Sequence, residues 1–227
     1  MFLDLSTTRL FDYLPKIIWP GFLATLKMLS TSLLLGLLIG FIIAVILVVT
    51  TPGGLSPHKG IYRIFNGLIN TIRSFPAIIL IVALTPLTRL LIGTSVGWQA
   101  ATVPLTIVAF PIIARLLETA LLEVDKSVIL AAKSFGASNN QIVFRIMLVE
   151  ALPSIASNIT FATIQLLANT ALAGAVGAGG LGAVALTYGY QRFDDAIMYT
   201  IVFLLCMMVF VIQGLGRLVY QRLRSTE

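Results

Sequence analysis

Charge is scarce in this chain: Asp, Glu, Lys and Arg make up 11% of its 227 residues, less than half of the roughly 25% usual in a soluble domain. A single cysteine, Cys206, excludes an internal disulfide framework and any paired-thiol metal site. Lying inside an apolar run, it reads as a small buried hydrophobe. The single histidine, His58, sits in the loop from Pro52 to Gly60, where it reads as solvated. No Ser-His-Asp arrangement, no carboxylate pair inside an apolar segment and no glycine-lysine nucleotide loop can be assembled. The chain is therefore expected to be non-catalytic and to hold neither metal nor cofactor.

What it has in excess is apolar surface. Hydrophobic residues make up 58% of the chain and mean hydropathy is +1.01, more than a water-soluble core absorbs, so the surplus must face lipid. The net charge of +6 is scattered between apolar blocks, which argues against nucleic acid and for loops that orient a membrane protein. Asp4, Arg9, Asp12 and Lys16 interrupt the N-terminal region where a cleavable signal would need an unbroken apolar run. That region reads as a short amphipathic segment leading to Pro20 and Gly21.

Crossing roughly 30 Å of hydrocarbon takes about 20 apolar helical residues, because only a helix satisfies its own backbone in lipid. The sequence predicts an all-α membrane protein with one transmembrane domain over residues 1–227 and five spans. These run over about 28–49, 66–90 (with Pro76 and Pro86 inside), 99–121 (Pro104 and Pro111), 152–176 and 196–216. With the C-terminus inside, the inner segments carry Lys59, Arg63, Lys126, Lys133, Arg145, Arg217, Arg222 and Arg224. The outer ones carry Arg9, Lys16, Lys27, Arg89 and Arg192. The positive-inside rule thus favours N-out, C-in.

The inner segment 123–151 has its own grammar. Asp125 to Phe135 is helix-forming, Gly136 stands where a helix ends in the left-handed conformation, and Ser138 with Gln141 makes a capping box that opens a second helix. A DNA-binding helix-turn-helix has a similar outline. This one offers only Lys133 and Arg145 for phosphates and is tethered by spans on both sides, so nucleic acid is not expected.

Leu130-Ala-Ala-Lys-Ser-Phe-Gly136, then nine residues, then Ile146-Met-Leu-Val149, resembles the signature loop of ABC-importer permeases. It departs from it at Leu130, where Glu is usual, and at Val149, where Pro is usual. Arg73-Ser-Phe-Pro76, Gly93-Thr-Ser-Val-Gly97, Val103-Pro-Leu-Thr106, Glu118-Thr-Ala-Leu-Leu-Glu123, Gly174-Ala-Val-Gly-Ala-Gly-Gly-Leu-Gly182 and Tyr188-Gly-Tyr190 together narrow the resemblance to methionine ABC transporter permeases.

This resemblance implies that Ala131, Ala132, Gly136, Ala137, Ser138 and Ile146 engage a cytoplasmic ATPase. Two copies of that ATPase would hold ATP and Mg. It also implies an extracytoplasmic substrate-binding lipoprotein, residence in the bilayer of the bacterial cytoplasmic membrane, and import of methionine, its D-enantiomer or a derivative by alternating access. Five helices give little wall for a solute path, so a homodimer with the path at its interface is expected.

Ser154, Asn158, Gln165 and Asn169 fall on one face of the fourth span. Such a stripe either lines a watery path or bonds helices together. Gly177, Gly179, Gly180 and Gly182 contain a formal dinucleotide fingerprint without a preceding strand, and read as close packing or a flexible turn at the outer mouth. Arg115 and Glu118, three apart, are placed to pair on one helix face in a structural role. A stand-alone secondary transporter would call for an internal repeat or a buried coupling carboxylate, and an intramembrane enzyme for convergent catalytic groups. The chain displays neither.

Overall fold

The structure, a computed structural model, describes residues 13–224; the amphipathic stretch around Asp4, Arg9 and Asp12 lies outside them. Every regular element among the described residues is helical. Helix α1, Leu14–Thr50, is 37 residues long and does not stop at Pro20–Gly21. A π-type turn at Leu14–Ile18, closed by the Trp19 N–H on the Leu14 carbonyl, re-registers the backbone just before the donor that Pro20 lacks.

The segment 66–90 is not one helix. Helix α2, Lys59–Arg73, ends at Ser74; α3 covers Ala77–Ala83 and α4 Thr85–Ile92. Pro76 has no N–H to continue the ladder and pushes the preceding residue out of helical geometry. Pro86, in contrast, sits in the first turn of α4, where a proline costs nothing. His58 is more than a solvated loop residue: its Nδ1 accepts the Ile61 N–H at 3.2 Å and caps α2.

Helix α5, Trp98–Leu122, runs unbroken through Pro104 and Pro111. Then come α6, Lys126–Ser134, and α7, assembled from Asn139–Gln141, a π-type stretch Ile142–Met147 and Leu148–Glu150. Helix α8, Leu152–Ala178, loses helical geometry at Val176 and Gly177. Helix α9 joins Gly180–Val184 to Ala185–Tyr190, and α10 is Asp195–Arg224. Among the described residues four helices are long and apolar enough to cross a membrane, or five if α2 and α3 count as one broken span.

The chain divides into two compact units. The first gathers residues up to Leu34, Phe75–Val108 and Thr163–Ile212. Here α1 meets α9 almost backbone to backbone: a Cβ on Gly21 would lie 3.0 Å from Val184 Cγ2 and 3.4 Å from the Gly180 carbonyl. Thr31 and Thr102 hydroxyls pair at 3.2 Å, and Lys27 Nζ sits 5.3 Å from the Trp98 ring.

Cys206 belongs to this unit and, contrary to the expectation of burial, is exposed. It lines an apolar groove with Leu167, Ala171, Val209 and Phe210. Apolar composition alone does not separate a helix face turned to protein from one turned to lipid.

The second unit gathers Leu35–Ser74, Ala109–Ala162 and the residues from Gln213 onward. In it α1 and α5 approach closely where Gly36 and Gly40, four apart, face Ala109, Phe110 and Ile113. This is the small-xxx-small geometry by which membrane helices approach when no hydrophobic drive separates protein from lipid. A Cβ on Gly40 would lie 2.9 Å from Ile113 Cγ2 and 3.0 Å from the Phe110 carbonyl oxygen. Gly40→Leu is expected to lower stability by about 1–3 kcal/mol through overpacking, read as a drop in the thermal midpoint of the detergent-solubilised protein. Gly67→Leu, at a position with nothing within 4 Å, should change it little.

Candidate functional site

Helix α6 begins at Asp125, whose Oδ1 accepts the Ser127 N–H at 2.8 Å. This bond holds the Asp125 carboxyl below its ordinary pKa by favouring the charged form. The helix ends at Gly136, whose φ of +80° places it in the left-handed region that the sequence required. The Gly136 N–H bonds the Lys133 carbonyl at 3.0 Å and the Ala137 N–H bonds Ala132 at 3.1 Å, the paired closure of a Schellman motif. Ser138 and Gln141 then form the full capping box.

No residue of α6 is buried. Ala131 and Ser138 are exposed, Ala132, Ala137 and Ile146 half-buried, and Phe135 and Leu130 are 92% and 62% exposed. A well-capped helix that turns its apolar side chains outward is a surface made to be covered. Ile142, Val143 and Met147 root it from the α7 side.

On the polar face of α8, Ser154 and Asn158 belong to the second unit and Gln165 and Asn169 to the first. Asn158 is committed to bundling: its Nδ2 donates to the Leu116 carbonyl at 2.9 Å. Gln165 is exposed; Ser154 and Asn169 are half-buried.

The glycines form a built turn. Gly177, Gly179 and Gly180 all have positive φ, and Gly182 leaves no room for a Cβ against the Ala171 carbonyl. The break frees one backbone acceptor and one donor, and both find partners within the first unit. The Gly97 N–H bonds the Gly177 carbonyl at 2.9 Å, and the Leu181 N–H bonds Thr25 Oγ1 at 2.8 Å. No strand precedes them among the described residues, so the dinucleotide reading has no structural context.

Arg115 and Glu118 pair at 2.6 Å. The sequence reading missed the rest of the network: Arg115 Nη2 also donates to Asn66 Oδ1 at 2.6 Å and Asn70 Oδ1 at 3.2 Å. Asn66 and Asn70 are four apart and share one face of α2, but their spacing does not say which helix that face meets. The guanidinium thus bridges α2 to α5 while neutralising a buried carboxylate. Among the described residues no group of three or more His, Cys, Asp or Glu is gathered to hold a metal.

Residues 36–225 match the family model described as binding-protein-dependent transport system inner membrane component. A probable D-methionine transport system permease protein of Vibrio cholerae is 41% identical over 198 residues, covering 87% of this chain and 88% of that one. A methionine import system permease protein of Bacillus subtilis is 40% identical over 174 residues, 77% and 78% of the two chains. Among solved structures, an inward-facing MetNI methionine ABC transporter chain superposes with a TM-score of 0.88 at 38% identity, covering 98% and 99%.

Arg115→Met should cost about 2–4 kcal/mol by stranding Glu118, less than a fully buried pair because Arg115 keeps some solvent access. Arg115→Met with Glu118→Met should recover part of the loss in a thermal double-mutant cycle. For Asp125 the sign follows from its lowered folded pKa. The cap is in place above the unfolded value of about 3.9 and is lost as pH falls through the folded value. Protection of the Ser127 to Ile129 amides, normalised to their intrinsic exchange rates, should therefore be lower in Asp125→Ala than in the wild type at neutral pH, and in the wild type should fall only as pH drops below the ordinary carboxylate range.

Proposed function

The chain belongs to the family of binding-protein-dependent transport system inner membrane components, and we propose that it is the permease subunit of an ATP-driven methionine importer. The methionine transport for which both relatives are named supports methionine as the cargo. The observation that carries the mechanism is the exposed, rigidly capped α6–Gly136–α7 unit. It has the shape and the outward apolar side chains of a handle for a second protein, and Ala131, Ala132, Gly136, Ala137, Ser138 and Ile146 are its gripping positions.

In this reading α2 and α3 make one broken span, giving five, with the N-terminus outside and the C-terminus in the cytoplasm. Two copies of the chain form the solute path, and each handle engages one ATPase subunit that binds ATP and Mg. ATP binding draws the ATPases together, carries the handles with them and opens the path outward. Hydrolysis returns it to the inward-open state. The ATPase thereby supplies the differential binding energy that biases a two-state bundle. Gln165 and Asn169 line the path, while Asn158 and Ser154 help to hold it together. The Gly177–Gly182 turn shapes the outer mouth, where a substrate-loaded binding protein delivers its cargo.

The test is reconstitution in liposomes with the partner ATPase and binding protein. ATP-dependent uptake of radiolabelled methionine is expected; uptake that proceeds equally without ATP overturns the reading. Gly136→Asp strains the left-handed turn and adds a charge to the handle. It should cut uptake at least tenfold while the protein still inserts, with ATP hydrolysis no longer tracking transport. Wild-type uptake in that variant contradicts the docking role.

A further inference from the structure

Helix α4 buries one side chain, and it is polar. Leu90 and Leu91 are 81% and 61% exposed, whereas Thr88 is 3% exposed. Among the described residues Thr88 Oγ1 is the one fully buried side-chain nitrogen or oxygen with no hydrogen-bond partner in the protein. Thr25, Thr50, Thr106 and Thr200 each turn back and donate to the carbonyl four residues earlier on their own helix. Thr88 does not. A buried hydroxyl left in that state costs stability, and native structures partner nearly all such groups.

Thr88 lines a recess of about 20 Å³ within the first unit, together with Thr85, Ser95, Ala100, Pro104 and Val176. That is room for one water molecule and little more. Pro104 has no N–H, so the Ala100 carbonyl, four residues earlier on α5, lacks its helical donor. Ala100 is 2% exposed, out of reach of bulk solvent, yet α5 runs unbroken through Pro104. In hydrocarbon a proline inside a helix is tolerated where a neighbouring hydroxyl or an ordered water satisfies the freed carbonyl. The same recess is thus lined by a hydroxyl with nothing to bond and by both ends of a missing helical bond.

We infer that the recess binds one structural water, which donates to the Ala100 carbonyl and hydrogen-bonds Thr88 Oγ1, and that this water seats α4 against α5. Thr85 and Ser95 line the same recess and offer two further hydroxyls, within the roughly two to four partners that a buried water takes. A metal cation is the rival occupant. It would want about six oxygens and a carboxylate to balance its charge. The lining has no carboxylate, and Ser95 already accepts from Arg89 Nη2 at 3.3 Å, which brings a positive charge alongside. Since Thr88 is the only side chain that α4 buries, the helix is held by a water-mediated joint more than by apolar packing. Neither the recess nor its occupant depends on what the chain transports.

The experiment uses the full-length chain in nanodiscs, reading the thermal midpoint and amide exchange over Thr88 to Gly93. Thr88→Val swaps the hydroxyl for a methyl of like shape. If the hydroxyl bears no ligand, that change relieves it and the midpoint rises, which overturns the inference. With the water bound, the midpoint should fall by about 2–4 °C and the α4 amides should exchange about fivefold faster. Pro104→Ala returns the helical donor to the Ala100 carbonyl, so in that background the loss from Thr88→Val should largely vanish. An equal loss in both backgrounds shows that the hydroxyl does not act through that carbonyl, and overturns the joint. Replacing sodium by choline in the buffer should move no midpoint; a drop in the wild type that Thr88→Val abolishes assigns the recess to a cation instead. A density map that resolves ordered water elsewhere in the bundle should show a peak within hydrogen-bond reach of Thr88 Oγ1 and the Ala100 carbonyl. An empty recess in such a map overturns the inference.

Discussion

A backbone in hydrocarbon has no water to fall back on, so every N–H and C=O must find a partner inside the protein. Most of this chain's architecture answers that constraint. It makes helix the sole regular element among the described residues, and it dictates where helices are allowed to break. The interruption at Val176–Gly177 is tolerated because the Gly177 carbonyl receives the Gly97 N–H and Thr25 receives the Leu181 N–H. The proline at 76 falls where a helix ends, and the proline at 20 follows a π-type turn that absorbs the missing donor.

Side chains that carry polarity into the bundle obey the same rule. Asn158 meets the Leu116 carbonyl and Arg115 divides its donors among Glu118, Asn66 and Asn70. Such bonds stitch helices that gain little from being apolar, since lipid tails are as apolar as leucine. Where polarity is absent, close approach replaces it: Gly36 and Gly40 let two helix backbones come within van der Waals reach. Packing and hydrogen bonding, more than burial from water, hold each unit together.

What could be read from the residues followed from how local the determining physics was. The left-handed end at Gly136 and the Ser138–Gln141 capping box depend on a few neighbouring residues, and both stand in the structure as the sequence indicated. The Arg115–Glu118 pair is equally local. The second partners of Arg115 lie 45 and 49 positions away, and no periodicity reveals which helix a guanidinium will reach. The continuation of α1 back to Leu14 was hidden by treating Pro20–Gly21 as a stop, and Cys206 was misjudged because a lipid-facing wall and a protein core share one composition. The Gly36-x-x-x-Gly40 pattern is local, but it stands among eighteen glycines, and spacing alone does not say which pair meets a neighbouring helix. The outward turn of Phe135 was not visible at all, because exposure belongs to the tertiary arrangement.

The Schellman closure at Gly136 has a mechanical meaning. A joint fixed by two backbone hydrogen bonds and a single permitted dihedral has little compliance, so displacement applied at α6 is passed to α7 as motion instead of being dissipated in bending. A softer joint would let the two helices flex independently. One residue without a side chain thus sets the stiffness of the α6–α7 joint.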